Sequence, residues 1–409
     1  MKNPDYIPRR IEPTIRKYAR QFPAVLLTGP RQSGKSTTLE KLFGTTHRMV
    51  SFDDPLVREQ ALADPRLFLG GLPERLIFDE IQYAPQLLSY LKMRIDQKRR
   101  DKGTYIMTGS QQFSLMKGVS ETLAGRVGLL SLLQFDYKET AESRHFPPHS
   151  KSGRRLFVNA CLAGSYPEPN TDSRVKPANW YGSYLTTYLE RDIRTVYNIG
   201  SLREFQKFMQ LLAGRCAQIL NLSNIANELG VSANTIKSWV SVLEASQIIY
   251  LLPPYFKNLG KRISRNPKVY FLDCGLVCYL TGISNQDLLL KGPLAGPLFE
   301  NYCVQETVKS YLNKGQRPNI FFLRTHNGLE VDLLIARDFR LYPIEIKLTQ
   351  SPSGGLAAAI ERFGKLFSEL KIMPGKVVCL TEENINLTRK VQAQNVFDYL
   401  EDLNRDSSR

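Results

Sequence analysis

The sequence predicts an α/β protein in three successive parts, and three observations support this fold class. A glycine-rich motif at 29–37 lies between a short apolar run and a helical stretch. Two helical stretches near the middle are followed by two apolar runs, and acidic residues alternate with apolar ones in the last third. We therefore expect a doubly wound parallel sheet, then a helical part, then a smaller α/β part.

Composition places the chain among soluble globular proteins. Its 409 residues suffice for two or three domains, and the 42% hydrophobic and 23% charged residues exclude a largely disordered chain. We find no apolar run of the ~18–20 residues that a membrane span needs. The basic N-terminus also lacks the apolar core of a secretory signal. We therefore expect a cytoplasmic protein with no membrane partner.

The net charge and the spacing of the cysteines indicate which ligands to expect. The chain has 55 Lys and Arg against 39 Asp and Glu, a net charge of +16, which favours a polyanionic partner such as a nucleotide or nucleic acid. Of the six cysteines only Cys274 and Cys278 lie close together, so the sequence offers no second pair for a zinc site. We expect buried, reduced thiols.

The glycine-rich motif has the form of a phosphate-binding loop. It matches G-x-x-x-x-G-K-[ST] and stands between a strand-length run at 24–27 and a helical stretch, as such a loop requires. The glycines let backbone N–H groups face a β-phosphate, Lys35 reaches the β- and γ-phosphates, and the Ser36 hydroxyl ligates Mg²⁺. The predicted ATP-binding residues are Gly29, Pro30, Arg31, Gln32, Ser33, Gly34, Lys35, Ser36 and Thr37.

Further polar residues follow later strands of the same part. Asp79 and Glu80 end an apolar run, where Asp79 would hold the Mg²⁺ water shell and Glu80 would polarise the attacking water. Ser110 follows another strand and would sense the γ-phosphate or position water. Arg126 either contacts a γ-phosphate, from its own or a neighbouring subunit of a homo-oligomer, or is an ordinary surface arginine.

The middle part predicts a winged helix. Helical stretches at 223–229 and 234–246 are separated by a short turn, and apolar runs at 248–252 and 268–272 follow. The loop between these runs is basic, which suits contact with phosphates. Two interpretations stay open, DNA contact and domain packing. The candidate nucleic-acid contacts are Lys237, Lys257, Lys261, Arg262 and Arg265.

The last third combines carboxylates with a lysine. Strand-like runs at 328–336 and 341–348 flank a turn, so a hairpin would bring Asp332 opposite Glu345 to share a divalent ion. Lys347 would then lie beside a reacting phosphate, and Glu300 would add a third carboxylate. Mg²⁺- or Mn²⁺-assisted phosphodiester hydrolysis needs this set. Acid–lysine pairs of this kind also occur as solvated surface charges.

Together these residues resemble a known family. The motifs at 29–37, 76–80, 108–110, 123–126 and 188–192, with the hairpin, are similar to those of prokaryotic AAA-type ATPases whose C-terminal half is a domain of unknown function. The resemblance covers nearly the whole chain. It implies a P-loop core, a winged helix and a restriction-endonuclease-like domain of the PD-(D/E)XK type, although Val331-Asp332 stands in place of Pro-Asp. It also implies ATPase roles for Lys35, Ser36, Asp79 and Glu80, and nuclease-like roles for Glu300, Asp332, Glu345 and Lys347.

These inferences predict domains and a function. The predicted domains are an ATPase domain at 1–140, a linker and helical segment at 141–200, a winged helix at 201–285 and a nuclease-like domain at 286–409. The predicted function is ATP binding and hydrolysis, with DNA engaged through the winged helix and the nuclease-like C-terminal domain, and with metal-dependent cleavage of that DNA as a further step that the sequence leaves open. Two alternatives remain, an ATP-dependent signalling or defence switch and a DNA-binding regulator, neither of which cuts DNA.

Overall fold

The computed structural model describes residues 6–109, 118–119, 121–143, 152–188, 202–255 and 266–405. The chain folds into two compact units. The first comprises Met1–Phe135, Ala245–Gln247 and Tyr311–Arg317, and the second comprises Asp136–Glu244, Ile248–Ser310 and Pro318–Arg409. Among the helices within these described ranges, none has both the length and the apolar character to cross a bilayer.

The first unit is built on a five-stranded parallel sheet. Its strands are β1 (Ala24–Thr28), β2 (Arg48–Ser51), β3 (Leu76–Asp79), β4 (Tyr105–Gly109) and β5 (Val127–Ser131). They lie in the order β2-β3-β4-β1-β5, and every pair is parallel. The helices are α1 (Glu12–Gln21), α2 (Lys35–Phe43), α3 (Pro55–Ala63), α4 (Pro65–Gly70) and α5 (Leu87–Gln97).

Alternation along β1 explains why helices cover both faces of this sheet. Ala24 and Leu26 pack into one apolar cluster with residues of α3, α4 and α5, whereas Val25 and Leu27 pack into another with residues of α1 and α2. Neighbouring residues of a strand point to opposite faces, so a fully apolar strand requires cover on both sides. The predicted parallel sheet is confirmed.

The rest of the chain begins with helices. They are α6 (Tyr137–Ala141), α7 (Gly153–Leu162), α8 (Pro167–Thr171), α9 (Pro177–Tyr188), α10 (Leu202–Ala213), α11 (Leu222–Leu229), α12 (Ala233–Ala245), α13 (Cys274–Thr281), α14 (Gln286–Lys291), α15 (Ala295–Asn313), α16 (Ala358–Leu366) and α17 (Val396–Arg405). The predicted pair of helices corresponds to α11 and α12. The side chain of Asn221 caps α11, and left-handed Gly230 (φ 68°) ends it. After α12, strands β6 (Ile249–Leu252) and β7 (Lys268–Phe271) form an antiparallel pair.

A six-stranded mixed sheet completes the second unit. Its strands are β8 (Ile320–Arg324), β9 (Glu330–Arg337), β10 (Arg340–Ile346), β11 (Gly375–Cys379), β12 (Ile385–Asn386) and β13 (Val391–Asn395), in the order β12-β13-β11-β10-β9-β8. The predicted hairpin is confirmed, because β9 and β10 pair antiparallel. Asp338 and Phe339 form its turn with φ of 50° and 58°, the left-handed values of a type I′ turn.

All six cysteines are free and buried, as the sequence predicts. They are Cys161, Cys216, Cys274, Cys278, Cys303 and Cys379, and all of them belong to the second unit. Burial raises the pKa of the Cys216 and Cys303 thiols well above the ordinary value, so these side chains stay protonated and inert.

Candidate functional site

The loop between β1 and α2 depends on two glycines. Gly29 and Gly34 have φ of 153° and 88°, values that side chains disfavour. A Cβ atom at Gly29 would also lie 2.1 Å from the carbonyl oxygen of Leu132. The glycines therefore set the curvature of the loop, a form in which backbone N–H groups can face an anion.

Side chains from within the loop and from elsewhere in the first unit hold the loop in place. The ammonium of Lys35, which is 5% exposed, donates to the carbonyl oxygens of Gly29 at 3.1 Å and Pro30 at 2.9 Å. The buried guanidinium of Arg9 donates to the carbonyl oxygen of Ser33 at 2.6 Å. Arg31 donates to the Tyr83 hydroxyl at 3.1 Å. The loop is thus held in its curved form by the chain itself.

The ends of three structural elements meet beside this loop. The Ser36 hydroxyl, in the first turn of α2, donates to Asp79 Oδ1 at 2.6 Å. Thr108, near the end of β4, donates to the same oxygen at 2.6 Å and accepts the backbone N–H of Glu80 at 2.9 Å. Hydroxyl and carboxylate oxygens are the ligands that Mg²⁺ prefers, so the donor set of Ser36 and Asp79 fits this ion.

Glu80 follows β3 in a backbone conformation that only a few side chains adopt. Its φ is 55°, and its carboxylate accepts a hydrogen bond from the side-chain amide of Gln82. The Thr108 hydroxyl bonds the Glu80 backbone, so it sets the position of Glu80 as well as that of Asp79. Sequence reasoning gave this threonine no role of its own, although it lies in the 108–110 motif at the end of a predicted strand; the structure shows that this strand lies beside β3.

Arg126 does not join this group of side chains. It immediately precedes β5, at the amino end of the strand, whereas the loop follows the carboxyl end of β1, and the two strands are parallel. Its guanidinium binds Asp96 at 2.7 and 2.9 Å. A contact with the nucleotide of its own chain therefore has no support in the structure. A role toward a neighbouring subunit stays a prediction.

Other predicted contacts cannot be located in the same way. Ser110 lies outside the described residues, as do residues 189–192 of the helical motif and four of the five candidate nucleic-acid contacts, Lys257, Lys261, Arg262 and Arg265. The fifth, Lys237, is exposed on α12. The strands on either side of the basic loop, β6 and β7, are paired antiparallel.

The second unit brings the predicted acids and lysine together on β9, β10 and α15. Lys347, which is 41% exposed, contacts Glu345 Oε1 at 2.8 Å and Asp332 Oδ2 at 3.1 Å. The backbone N–H of Ile346 donates to the same Asp332 oxygen at 2.9 Å. Glu345 Oε2 is buried and has no hydrogen-bond partner among the described residues.

Two residues of β7 join this group, and sequence reasoning missed both roles. The Lys268 ammonium contacts Glu330 at 2.7 Å, Glu300 at 2.9 Å and Asp332 Oδ1 at 3.9 Å. The Tyr270 hydroxyl donates to Glu300 at 2.6 Å. We call Glu300, Glu330, Asp332, Glu345, Lys268 and Lys347 the carboxylate cluster.

Burial and charge shift the titration of these groups. Burial and the nearby Asp332 carboxylate raise the pKa of Glu345 to about 7, against the opposing effect of Lys347. Burial also raises the pKa of Glu300, and Lys268 opposes this shift. For Lys268, burial would lower the pKa, but Glu300, Asp332 and Glu330 outweigh it and raise the pKa.

The cluster does not present a ready-made metal site. In the described part of the chain, no group of three or more His, Cys, Asp or Glu side chains has the geometry to hold a metal ion. Lysines lie between the acids instead, so the donor set does not fit a resident divalent ion as folded.

Domain families match three segments of the chain. The AAA domain family matches residues 21–141, which contain the loop, Asp79 and Glu80. A domain of unknown function, DUF8612, matches residues 154–287, and a second, DUF4143, matches residues 295–399. The carboxylate cluster thus draws Lys268 from the DUF8612 segment and its other members from the DUF4143 segment.

Two mycobacterial proteins and one solved structure are similar to the chain. Uncharacterized protein Rv2008c of Mycobacterium tuberculosis and Uncharacterized protein Mb2031c of Mycobacterium bovis are each 32% identical over 342 residues, 83% of this chain and 73% of the relative. The Walker-type ATPase PABY2304 of Pyrococcus abyssi is 13% identical with a TM-score of 0.46, over 68% of this chain and 97% of that one. That likeness is too low to transfer any property. The chain therefore belongs to the family of the two mycobacterial proteins, and it carries an AAA domain at 21–141 and a DUF4143 domain at 295–399.

Proposed function

We propose that the first unit hydrolyses ATP in a Mg²⁺-dependent reaction, and the meeting of Ser36, Asp79 and Thr108 carries this proposal. Lys35 would bind the β- and γ-phosphates, and Ser36 and Asp79 would hold Mg²⁺, which neutralises phosphate charge when bound. Glu80 would accept a proton from the attacking water. The Thr108 hydroxyl bonds both the Asp79 carboxylate and the Glu80 backbone N–H, and would thereby fix the positions of these two residues relative to each other.

Steady-state ATPase assays with Glu80→Gln and Lys35→Ala test this proposal. We expect Glu80→Gln to lower kcat by at least about a hundredfold, because a general base contributes roughly 10²–10⁴-fold, and to keep ATP affinity. Lys35→Ala should lose affinity for a fluorescent ATP analogue. Glu74→Gln, which alters an exposed glutamate paired with Lys98, is the matched control. Unchanged turnover in Glu80→Gln contradicts the assignment.

We also propose that the helices and hairpin of the middle part engage DNA as a winged helix. The arrangement of α11, α12, β6 and β7 supports this, together with the net charge of +16. The basic loop between the two strands would contact phosphates, and Lys237 would lie on the helix facing the groove.

Salt-dependent binding to labelled duplex DNA separates this role from domain packing. Replacing Lys257, Lys261, Arg262 and Arg265 together by Ser should weaken binding and reduce the slope of log K against log salt by up to about 0.9 for each phosphate that the protein no longer neutralises. A charge-matched control replaces the basic residues Arg16, Lys17, Arg20 and Arg99 by Ser. If both variants bind DNA like the wild type, the loop acts in domain packing.

For the C-terminal domain we propose cleavage of DNA phosphodiester bonds with Mg²⁺ or Mn²⁺, although the cluster as folded is filled by lysines and would have to open to admit the ion. Lys347 supports this, because it contacts both Asp332 and Glu345 while its side chain stays 41% exposed, on the side from which a phosphate would approach. The buried, unpaired oxygen of Glu345 is the second supporting observation. The alternatives are an ATP-dependent switch and a DNA-binding regulator, neither of which cuts DNA, and the lysine-filled cluster favours them.

Supercoiled and branched DNA, incubated with Mg²⁺ or Mn²⁺ with and without ATP, decides between cleavage and these alternatives. Cleavage by the wild type that Glu345→Ala abolishes, and that Lys35→Ala alters, would establish an ATP-controlled nuclease. Glu369→Gln, an exposed glutamate of the same domain, controls for the loss of charge. ATP hydrolysis without any cleavage favours the switch.

A further inference from the structure

Lys268 holds the centre of the carboxylate cluster. Its side chain is 3% exposed, and its ammonium lies within 4 Å of Glu300, Glu330 and Asp332, three acids from two different elements. Another buried lysine, Lys309, shows the more usual arrangement, an ion pair with Glu306 on the same helix. Lys268 is therefore placed as a common counter-ion for several acids rather than as half of an ordinary pair.

The backbone fixes this lysine in place. Lys268 pairs with Leu252 across the β6–β7 ladder and bridges to Ile219 on its other side. Tyr270, two residues later on the same face of β7, is anchored to Glu300 as well. The ammonium thus approaches the acids from a strand held on both edges, not from a mobile surface side chain.

The two oxygens of Asp332 leave little room for another cation. Asp332 Oδ2 already accepts from the Ile346 N–H and from Lys347, so Oδ1 is the oxygen left for an ion, and this oxygen faces Lys268. A divalent ion would need carboxylate oxygens at about 2.0–2.6 Å, which the ammonium of Lys268 now engages. Two cations cannot share such a space without strong repulsion.

We propose that Lys268 is the resident cation of the carboxylate cluster, and that it excludes a divalent ion from the space among Glu300, Glu330 and Asp332 in the folded chain. This inference rests on the proposed metal-dependent site. It adds that the site binds Mg²⁺ or Mn²⁺ only where Lys268 is withdrawn from the acids or its charge is removed.

Mn²⁺ binding to the full chain without nucleotide, followed by electron paramagnetic resonance, tests the proposal. Every protein carries Asp79→Asn, so that the P-loop does not contribute an ion site. We expect no Mn²⁺ site in the cluster of this parent protein. Lys268→Met should gain one site, at least tenfold tighter than any binding by the parent, and adding Asp332→Asn should remove it. Lys309→Met, which takes the lysine partner from one buried carboxylate, is the matched control and should gain none.

Two results would overturn the proposal. One is a Mn²⁺ site in the parent protein that Asp332→Asn abolishes, and the other is a folded Lys268→Met variant that gains no site. If circular dichroism shows that Lys268→Met is unfolded, Lys268→Gln takes its place, and the titration of the parent protein decides whether the folded cluster excludes the ion.

DNA cleavage by the same proteins, with Asp79 restored, separates this proposal from the proposed nuclease. A Mn²⁺ site in Lys268→Met without cleavage supports the role of Lys268 and contradicts the nuclease. Cleavage by the wild type with a Mn²⁺ ion bound at Asp332 supports the nuclease and contradicts the role of Lys268.

Discussion

Single hydroxyl and carboxyl groups determine the local arrangement of both candidate sites. Thr108 uses one hydroxyl to donate to Asp79 and to accept from the backbone of Glu80. A side chain of the same shape without the hydroxyl leaves the Asp79 oxygen short of a donor and the Glu80 N–H without its acceptor. The residue acts through its neighbours, so it is a positioning residue.

Thr108→Val should therefore lower the kcat for ATP by about tenfold, since a lost hydrogen bond to a charged group is worth roughly 1.5–3 kcal/mol. The KM for ATP should change little, because Lys35 and the loop are untouched. Steady-state kinetics measure both constants. Thr104→Val, on a partly exposed threonine just before the same strand, is the control. A variant with wild-type kcat shows that the hydroxyl is dispensable.

Glu345 makes the stability of the second unit depend on pH. Its pKa is raised to about 7 in the folded chain, from an ordinary value of 4.5. The folded state therefore keeps a proton that the unfolded state loses as the pH rises from about 4.5 to 7. The favourable contribution of this proton is complete below pH 4.5 and is lost as the pH rises through 7, a change of up to ~3 kcal/mol.

Glu345→Gln removes this proton linkage, so the variant should gain stability relative to the wild type as the pH rises from 4.5 to 7. Calorimetric melting at several pH values measures the difference. The exposed variant Glu369→Gln should give a difference that does not change with pH. If the stability difference between Glu345→Gln and the wild type also stays constant with pH, Glu345 is not the group that keeps the proton.

At the scale of elements, the turn of the β9–β10 hairpin contains residues that disfavour its left-handed backbone conformation. Its two turn residues, Asp338 and Phe339, take left-handed conformations that Asn-Gly would adopt with less strain. Phe339 is 89% exposed, so little packing offsets this conformation. The register is set instead by the buried apolar residues of the two strands, such as Leu333 and Ile344.

Phe339→Gly should stabilise the second unit by about 1 kcal/mol, because glycine adopts the left-handed region without the penalty of a Cβ atom. Urea unfolding of the two variants Phe339→Gly and Phe339→Ala measures the effect. Alanine keeps the Cβ atom and should give no gain. Equal stability of the two variants would show that the turn is not strained.

Patterns of residues close together in the chain predicted several elements correctly. Contacts between residues far apart in the chain could not be predicted from such patterns. The loop at 29–37, the helices α11 and α12 and the β9–β10 hairpin each follow from residues close together in the chain. Lys268 reaches Glu300 across 32 residues, and no spacing in the sequence signals that contact. The sequence left open whether Arg126 contacts a phosphate of its own or a neighbouring subunit or is a surface arginine; the structure places it before β5, at the edge of the sheet opposite the loop, where it pairs with Asp96.

At the scale of the whole molecule, the first unit is assembled from separate stretches of chain. Beyond residue 135 it includes 245–247 and 311–317. The Thr14 hydroxyl donates to the carbonyl oxygen of Asn313 at 2.7 Å, and Tyr18 donates to that of Gly315 at 3.2 Å. Gln247 donates to the Ser131 hydroxyl at 3.2 Å. Residues 311–317 thus contact α1, and residues 245–247 contact the end of β5.

A fragment of residues 1–143 should therefore melt roughly 5–10 °C below the corresponding transition of the full chain, since each lost hydrogen bond is worth about 1 kcal/mol. Calorimetry with and without ATP identifies that transition by its shift. The double variant Thr14→Val, Tyr18→Phe in the full chain should lower the same transition by less. A fragment as stable as the full chain would show that the later stretches are dispensable.

All six cysteines are buried and lie in the second unit, so the rate at which their thiols are labelled reports on the opening of that unit alone. A maleimide dye reacts only with an exposed thiolate, so its rate of uptake by the native chain reports how often the second unit opens. The first unit contains no cysteine and stays silent in such an experiment. Dye uptake measured with and without ATP would then show whether nucleotide bound to the first unit changes how often the second unit opens.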